Sequence, residues 1–184
     1  MYGGPPVLDY MMIATPPHDD PKVQRFMPHF EIDAMTRPRK WWPAADQTFP
    51  QFAADAARIQ KGGGLVGIGS HGEFQGLGYH WEMQAYAAGG LTPHDVLKAA
   101  TIGSSEIIGH AADIGSLEPG KFADILIMES NPLADIRNTL SLSQVMKNGR
   151  LYDASSLDEI WPRQAALSPF WFWDAGERAA PVRH

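Results

Sequence analysis

The chain has 184 residues, of which 44% are hydrophobic and 20% are charged, an ordinary composition for one globular domain or for part of a larger protein. Its 15 Lys and Arg residues and 21 Asp and Glu residues give a net charge of -6, which argues against binding to nucleic acid or to an anionic membrane. Cysteine is absent, which excludes disulfides, cysteine-ligated metal centres and a thiol nucleophile. The sequence has no run of about 18 apolar residues, so no membrane-spanning helix is predicted.

The N-terminal region is rich in proline and shows little helical or strand periodicity. A loop of this length indicates either a lid over a site or a segment whose packing partners are missing. His18, Asp19 and Asp20 resemble a nitrogen and oxygen metal site, but consecutive residues rarely converge on one ion, and the flanking prolines favour a solvated turn. Residues 1–6 show no basic region followed by an apolar one, so they do not match a signal peptide.

The middle of the chain follows the order helix, strand, glycine-rich turn, helix, which is typical of an α/β protein. A helix is predicted over residues 51–61, between a proline and three glycines, and a short buried strand over residues 65–69. Beyond the turn at residues 70–78, further helices are predicted over residues 79–88, 92–101 and 104–108. Thr92 is the predicted N-cap of the second of these, with Pro93 at its first helical position.

The C-terminal part is predicted to form strands and turns, unlike the mostly helical region before it. Residues 122–128 are predicted to form a strand, and residues 144–152 a hairpin that turns at Asn148-Gly149. Two or three strands make only a marginal sheet, so they need partners from elsewhere. The aromatic run at residues 170–173 fits either a partner-binding patch or burial against the rest of the protein, and its composition favours burial.

Two familiar motifs overlap in the sequence GIGSHG at residues 67–72, and both fit poorly. The glycine spacing matches a dinucleotide-binding loop, but Gly76 and Gly78 interrupt the helix that should follow, and no acidic strand end lies about 20 residues later. Ser70 resembles the serine of a nucleophile elbow, but that motif requires glycine where this chain has Ile68.

His71 is the more informative residue of this turn. It directly follows a predicted strand, at the place where α/β barrels expose catalytic and metal-binding groups. Spacing alone favours a turn histidine that is hydrogen-bonded to backbone, because one histidine does not make a metal site.

Several segments together carry a more specific signal. They are the turn GLVGIGSHG, the helix that contains Glu82, and the stretches GLTPHDVLKAAT, GSLEPGKFADILI, NPLADI and VMKNGR, at residues 64–72, 79–88, 90–101, 115–127, 131–136 and 145–150. This set resembles the C-terminal end of a metal-dependent amidohydrolase of the imidazolonepropionase-like kind. Residues 76–82, GLGYHWE, resemble a subgroup that is often fused to a TolB-like β-propeller.

The resemblance implies an α/β fold that is a C-terminal fragment of a (β/α)8 TIM barrel joined to strands of a small β-sandwich. On that template residues 65–69 are the eighth barrel strand, and the chain starts at the end of the seventh, so the first six strands are missing. The expected divisions are residues 1–112 for the barrel part, residues 113–155 for the sandwich strands and residues 156–184 for an aromatic tail.

The resemblance also implies hydrolysis of an amide or related carbon–nitrogen bond with the help of a divalent metal, with zinc as the expected ion of the intact enzyme. Because the family draws most of its metal ligands from the missing segments, this chain alone is expected to be an incomplete enzyme without a stoichiometric catalytic metal. Many members carry an aspartate at the end of strand eight as ligand and base. This chain has His71 there, with Glu73 as the nearest carboxylate, so His71 is the predicted catalytic residue and metal ligand.

The expected partners are the missing N-terminal half of the barrel, a small amide or peptide-like substrate and, because strand edges are left open, a second copy of the chain. No nucleic acid or membrane partner is expected, and the compartment is left open between cytoplasm and periplasm. From another class of function, the sequence is also compatible with a stand-alone, non-catalytic binding or assembly module derived from the same fold.

Overall fold

The computed structural model describes residues 11–12, 15–37, 43, 46, 48–70 and 74–173. In this part of the chain the helices come first and a small sheet follows. The helices are α1 (Pro21–Phe26), α2 (His29–Thr36), α3 (Phe49–Lys61), α4 (Leu77–Ala88), α5 (Pro93–Lys98) and α6 (Ser104–Ile107). Single 3₁₀ turns cover Pro17–Asp19 and Ile136–Leu140, and a π-helical turn, Ala99–Gly103, joins α5 to α6. Within the described residues no helix has the length and apolar character needed to cross a bilayer.

The helices α1 and α2 lie where the sequence predicts a long loop, so that prediction is wrong over these residues. The carboxylate of Asp20 accepts the backbone N–H groups of Lys22 at 2.8 Å and Val23 at 3.0 Å, which caps α1. Pro21 then takes the first helical position, where its missing N–H has no cost. Helices of six and eight residues are too short to show a periodic pattern. The predicted turn around His18 is confirmed, with Asp20 acting as a helix cap.

The predicted helices of the middle region are confirmed with shifted ends. The helix α3 begins at Phe49 and α4 at Leu77, each slightly before its predicted start. Thr92 Oγ1 accepts the N–H of Asp95 at 3.2 Å, which confirms Thr92 as the N-cap of α5. The core between these helices consists of small and medium apolar side chains: Ala57, Ile68, Met83, Leu91, Val96 and Ala99.

The predicted strand at residues 65–69 has no regular secondary structure, and no strand pairs with it among the described residues. A strand needs a neighbour to complete its hydrogen-bond ladder, and here helices lie beside the segment instead. Ile68 is buried as predicted, whereas Leu65 is 57% exposed. The prediction of a buried strand is therefore right about the burial of Ile68 and wrong about strand pairing and full burial.

The described sheet has four antiparallel strands in the order of the chain: β1 (Ile125–Met128), β2 (Leu142–Lys147), β3 (Arg150–Asp153) and β4 (Glu159–Trp161). The predicted hairpin is confirmed, because Lys147 pairs with Arg150 and the turn residues Asn148 and Gly149 have φ angles of 49° and 76°. These left-handed angles are the ones that an Asn-Gly turn favours. The strand β4 was not predicted, since three residues are too few to show an alternating pattern.

The sequence favours burial of the aromatic run at residues 170–173. This prediction is confirmed for Trp173, which is 5% exposed. Its indole N–H donates to the carbonyl oxygen of Arg25 at 2.6 Å, and the guanidinium carbon of Arg25 lies 4.4 Å from the ring centroid. Trp171 remains 76% exposed. The start of the C-terminal tail therefore packs on α1, with one of its tryptophans left at the surface.

His80 connects α4 to the turn that precedes β2. Its buried Nδ1 lies 2.9 Å from the hydroxyl oxygen of Thr139, which itself donates to the carbonyl oxygen of Ile136 at 2.8 Å. Because the hydroxyl has one hydrogen, it must accept from His80, which places the imidazole proton on Nδ1. Burial and then the charge of Lys22 lower the pKa of His80 to about 4, so the ring is neutral at pH 7.

The close contact between α3 and the end of α4 predicts that Gly89→Ala destabilises the fold. An added Cβ would lie 2.4 Å from the carbonyl carbon of Ala53 and 2.5 Å from its Cβ. Overpacking of this kind costs about 1–3 kcal/mol, which urea unfolding of both proteins would measure. Gly69→Ala is the matched control, because its added Cβ meets no atom within 4 Å. Equal stabilities of the two variants would contradict the predicted contact.

The second stability prediction concerns pH. With the pKa of His80 lowered to about 4 in the fold, its contribution to stability is complete above the unfolded pKa of 6.5 and is lost as the pH falls toward 4. We expect unfolding free energy to drop over this range by up to about 3 kcal/mol, beyond the change seen in His80→Asn. Urea unfolding at several pH values would measure it. The control is His94→Gln, whose side chain is 76% exposed, and a loss of the pH dependence in that variant would refute the assignment to His80.

Candidate active site

Hydrogen bonds from helical side chains hold the segment at residues 65–70 that leads to the candidate turn. The N–H of Ile68 donates to Ser104 Oγ at 3.0 Å, and the hydroxyl of Ser104 donates to the carbonyl oxygen of Ala99 at 2.8 Å. The hydroxyl of Tyr86 donates to the carbonyl oxygen of Gly67 at 3.3 Å. Side chains of α4 and α6 thus supply bonds that a neighbouring strand would otherwise provide.

Small residues allow this segment to lie directly on the helices. A Cβ added at Gly67 would lie 2.9 Å from Ile107 Cδ1 and 3.0 Å from Ser104 Oγ, and a Cβ at Gly103 would lie 3.0 Å from the carbonyl oxygen of Val66. No side chain fits in either position without displacing a neighbour. The path of the backbone into the turn is therefore fixed by close packing as well as by hydrogen bonds.

The turn itself begins at a strained residue that a carboxylate stabilises. Ser70 has a φ of 53°, in the left-handed region that non-glycine residues seldom adopt. One oxygen of Glu82, Oε2, accepts the N–H of Gly69 at 3.1 Å and also the N–H of Ser70. Two successive amides that converge on one anionic oxygen form a concave anion-binding arrangement. The charge of Glu82 thereby offsets the cost of the unusual backbone at Ser70.

The two tyrosines of α4 serve as hydrogen-bond donors beside this carboxylate. Burial and then the charge of Glu82 raise the pKa of Tyr86 to about 12. Burial also raises the pKa of Tyr79, whose hydroxyl donates to the carbonyl oxygen of Ala100 at 2.6 Å. Both phenols are protonated at neutral pH, so they support the backbone and do not act as bases.

The far end of the turn is anchored in the core. Phe74 is 1% exposed, and its ring centroid lies 5.6 Å from that of Trp81 on α4. The N–H of Gly78 donates to the carbonyl oxygen of Phe74 at 2.8 Å. Ser70 and Phe74, on either side of residues 71–73, are thus both fixed by contacts with α4.

His71, the predicted catalytic residue and metal ligand, lies outside the described residues, as does Glu73. Its two predicted roles therefore stay predictions. Within the described residues, the ligating side chains that come together in a group of three are His18, His29 and Asp33, which belong to the N-terminal helices and not to this turn. The described part of the turn thus offers no metal centre of its own.

Sequence reasoning missed the role of Glu82 as the acceptor of the turn's backbone amides. The signal lay in helix positions 78, 82 and 86, which are four residues apart and share one face. Gly78 leaves room for Ser70, whose Cβ would lie 3.7 Å from a Cβ at Gly78, while Glu82 and Tyr86 reach the backbone of residues 67–70. A small residue, an acid and a hydroxyl in this spacing indicate a helix face that packs against another segment and forms hydrogen bonds with its backbone.

Comparison with known proteins gives a consistent assignment. The profile of the Amidohydrolase family matches residues 51–152, more than half of the chain. Over 64 residues the chain is 36% identical to an imidazolonepropionase of Shouchella clausii, a match that covers 33% of this chain and 14% of that protein. Over 76 residues it is 37% identical to an ochratoxinase of Aspergillus niger, covering 39% of this chain and 16% of the ochratoxinase.

A solved structure extends the likeness in three dimensions. The crystal structure of a Xaa-Pro dipeptidase with bound methionine superposes with a TM-score of 0.53 at 24% identity, over 82% of this chain and 34% of the dipeptidase. At this identity the likeness concerns the fold alone. The matched part corresponds to only 14% of the imidazolonepropionase and 16% of the ochratoxinase in length. The predicted resemblance is confirmed, and the chain belongs to the amidohydrolase family.

Proposed function

We propose that this chain is the C-terminal part of a metal-dependent hydrolase that acts on amide or other carbon–nitrogen bonds, and that it presents His71 to the substrate. The observation that carries the proposal is the anchored turn after residues 65–69, where Glu82 binds the amides of Gly69 and Ser70. This turn lies within the region that matches the amidohydrolase family. A stand-alone, non-catalytic module is the alternative, and none of these observations favours it.

In the proposed reaction, His71 moves a proton between the attacking water and the leaving nitrogen. An imidazole suits this role because its ordinary pKa lies near neutrality. The chain's contribution is geometric, since the left-handed Ser70 redirects the backbone immediately before His71. Glu82, Tyr86 and Ser104 then hold the backbone that precedes it.

A divalent ion, with zinc as the expected one, would lower the pKa of bound water and polarise the carbonyl group. The described residues do not supply a complete set of ligands for such an ion. Glu82, whose carboxylate contacts the start of the turn, is already engaged by two backbone amides, and the described residues place no group of three ligating side chains there. This chain would therefore contribute His71, and the remaining ligands would come from the rest of the protein.

The partner that this proposal requires is the preceding part of a (β/α)8 barrel, packed against residues 65–69 as the eighth strand. Apolar side chains beside that segment are half exposed, namely Leu65 at 57%, Ile107 at 52% and Ile108 at 60%. On β1, Leu126 is 51% exposed, in keeping with a second sandwich layer over this sheet. We accordingly assign residues 1–112 to the barrel, 113–155 to the sandwich and 156–184 to the tail. A second copy of the chain is the other partner that could pack against these exposed apolar side chains.

The substitution His71→Asn tests the catalytic assignment. It removes the titrating imidazole while keeping similar size, so we expect turnover to fall about 10²-fold or more with an unchanged melting temperature. The measurement is kcat on a panel of amide and dipeptide substrates. It uses this chain joined to the barrel part that precedes it, or a homologue with the same Ser-His-Gly turn. The metal content of each protein is determined in parallel.

The matched variant is Glu73→Gln, because Glu73 is the nearest carboxylate to His71 in the sequence. If Glu73→Gln abolishes turnover while His71→Asn keeps both normal turnover and its metal, the proton-transfer role belongs to Glu73 and the assignment of His71 is wrong. If both variants keep full activity, the turn does not take part in the chemistry, and the proposed function loses its basis.

Glu82→Gln tests whether Glu82 positions the turn. Loss of the charged acceptor should cost about 1.5–3 kcal/mol of stability and lower kcat about tenfold or more, because small displacements of a reacting group are costly. Glu82→Gln should also bring the pKa of Tyr86 down from about 12, since the Glu82 charge contributes to its elevation. The tyrosine absorbance titration measures this shift.

The control for Glu82→Gln is Glu106→Gln on α6, where the glutamate is exposed. A purely structural Glu82 would lower stability and leave kcat unchanged in the folded fraction. Identical kinetics for the two variants would show that the turn holds its geometry without Glu82.

A further inference from the structure

The geometry points to a second metal site, formed by His18, His29 and Asp33, that would bind a divalent transition-metal ion such as Zn²⁺. These residues lie on the turn before α1 and on α2, outside the region that matches the amidohydrolase family. The site does not depend on the proposed function of His71, since it shares no residue with the turn at residues 70–74.

Three donor atoms from separate side chains converge here. His18 Nε2 lies 2.9 Å from Asp33 Oδ1, and His29 Nδ1 lies 3.6 Å from Asp33 Oδ2. The ligand atoms of the three residues all lie within 4.8 Å of one another. Donors on one tetrahedral zinc ion are about 3.3 Å apart, because each lies about 2 Å from the metal. Small side-chain rotations would close the site.

The helical spacing explains why the donors meet. His29 and Asp33 are separated by one turn of α2, so their side chains lie on the same face. His18 approaches this face from the preceding 3₁₀ turn, with its ring centroid 5.6 Å from that of His29 at an interplanar angle of 67°. The ligands thus come from two elements that α1 separates in sequence.

The donor set and its surroundings suit a borderline metal. Two imidazoles and one carboxylate are ligands that zinc and its first-row neighbours accept, and they leave a fourth position for water. The side chains of His18 and Asp33 are 35% and 25% exposed, whereas His29 is 77% exposed and free to turn.

A cation already competes for this carboxylate. The guanidinium of Arg37, the residue that directly follows α2, donates to Asp33 Oδ2 at 3.0 Å. Its side chain is 78% exposed, so it can move into solvent when an ion binds. The competition makes a directional prediction, because removal of the Arg37 charge should strengthen metal binding.

A bound ion would link two elements of the structure. It would tie the turn at Pro17–Asp19 to α2, two elements that the His18–Asp33 contact already brings together. An ion that binds only the folded form stabilises it by mass action. Zn²⁺ should therefore raise the melting temperature of the chain.

The experiment is a titration of the 184-residue chain with Zn²⁺ by calorimetry and with Co²⁺ by visible absorption. We expect one ion per chain at this site, at least tenfold weaker binding in His18→Gln and in His29→Gln, and tighter binding in Arg37→Gln. Circular dichroism checks that each variant is folded. Zn²⁺ should raise the melting temperature of the wild-type chain and leave that of the double His variant unchanged.

His110→Gln is the matched control, because His110 faces Asp113 at 3.6 Å in an exposed pair that has no third ligand among the described residues. Its affinity for the ion should equal that of the wild-type chain. The proposal is overturned if His110→Gln weakens binding as much as His18→Gln does, or if up to about 1 mM ion binds wild type no better than the double His variant. His71→Asn distinguishes the two sites, and loss of the ion in that variant alone would assign it to the other turn.

Discussion

The contact between the Glu82 carboxylate and the backbone amides of Gly69 and Ser70 fixes the geometry of the candidate active site. Ser70 adopts a backbone conformation that an L-residue avoids, and such strain persists only where surrounding contacts over-determine it. Hydrogen bonds to a charged acceptor are about twice as strong as neutral ones. They are strong enough to hold a single residue in this conformation, and the chain leaves the segment at residues 65–70 in a defined direction.

The helix α4 serves two parts of the molecule through its different faces. Glu82 and Tyr86 hold the segment at residues 67–70, while His80 reaches Thr139 beside the sheet and Trp81 packs against Phe74. This division explains its composition, in which the polar side chains of His80, Glu82 and Tyr86 stand on two different faces and each has a defined partner. A buried polar group without such a partner would destabilise the helix. The candidate site and the sheet are therefore coupled through one rigid element.

Sequence reasoning succeeded where the determinants are local. The Asn-Gly hairpin and the Thr92 cap each depend on a few adjacent residues, and both were predicted correctly. The helices α1 and α2 were missed because they are too short to repeat a pattern, even though Asp20-Pro21 is a recognisable helix start. The role of Glu82 and the approach of His18 to α2 depend on long-range packing, which no local pattern reports. The family itself was identified from the resemblance, because composition and periodicity do not indicate it.

The segment at residues 65–70 also shows how much of the site this chain organises by itself. A strand ordinarily takes its position from neighbouring strands, whereas Ser104, Tyr86 and Glu82 bind the backbone of residues 67–70 from helices of the same chain. The close packing at Gly67 adds a steric constraint that does not depend on any neighbouring strand. A catalytic group needs its supporting contacts in place before the substrate arrives. Because those contacts come from α4 and α6, the backbone of residues 67–70 is held from one side, independently of the exposed side chains of Leu65 and Ile107.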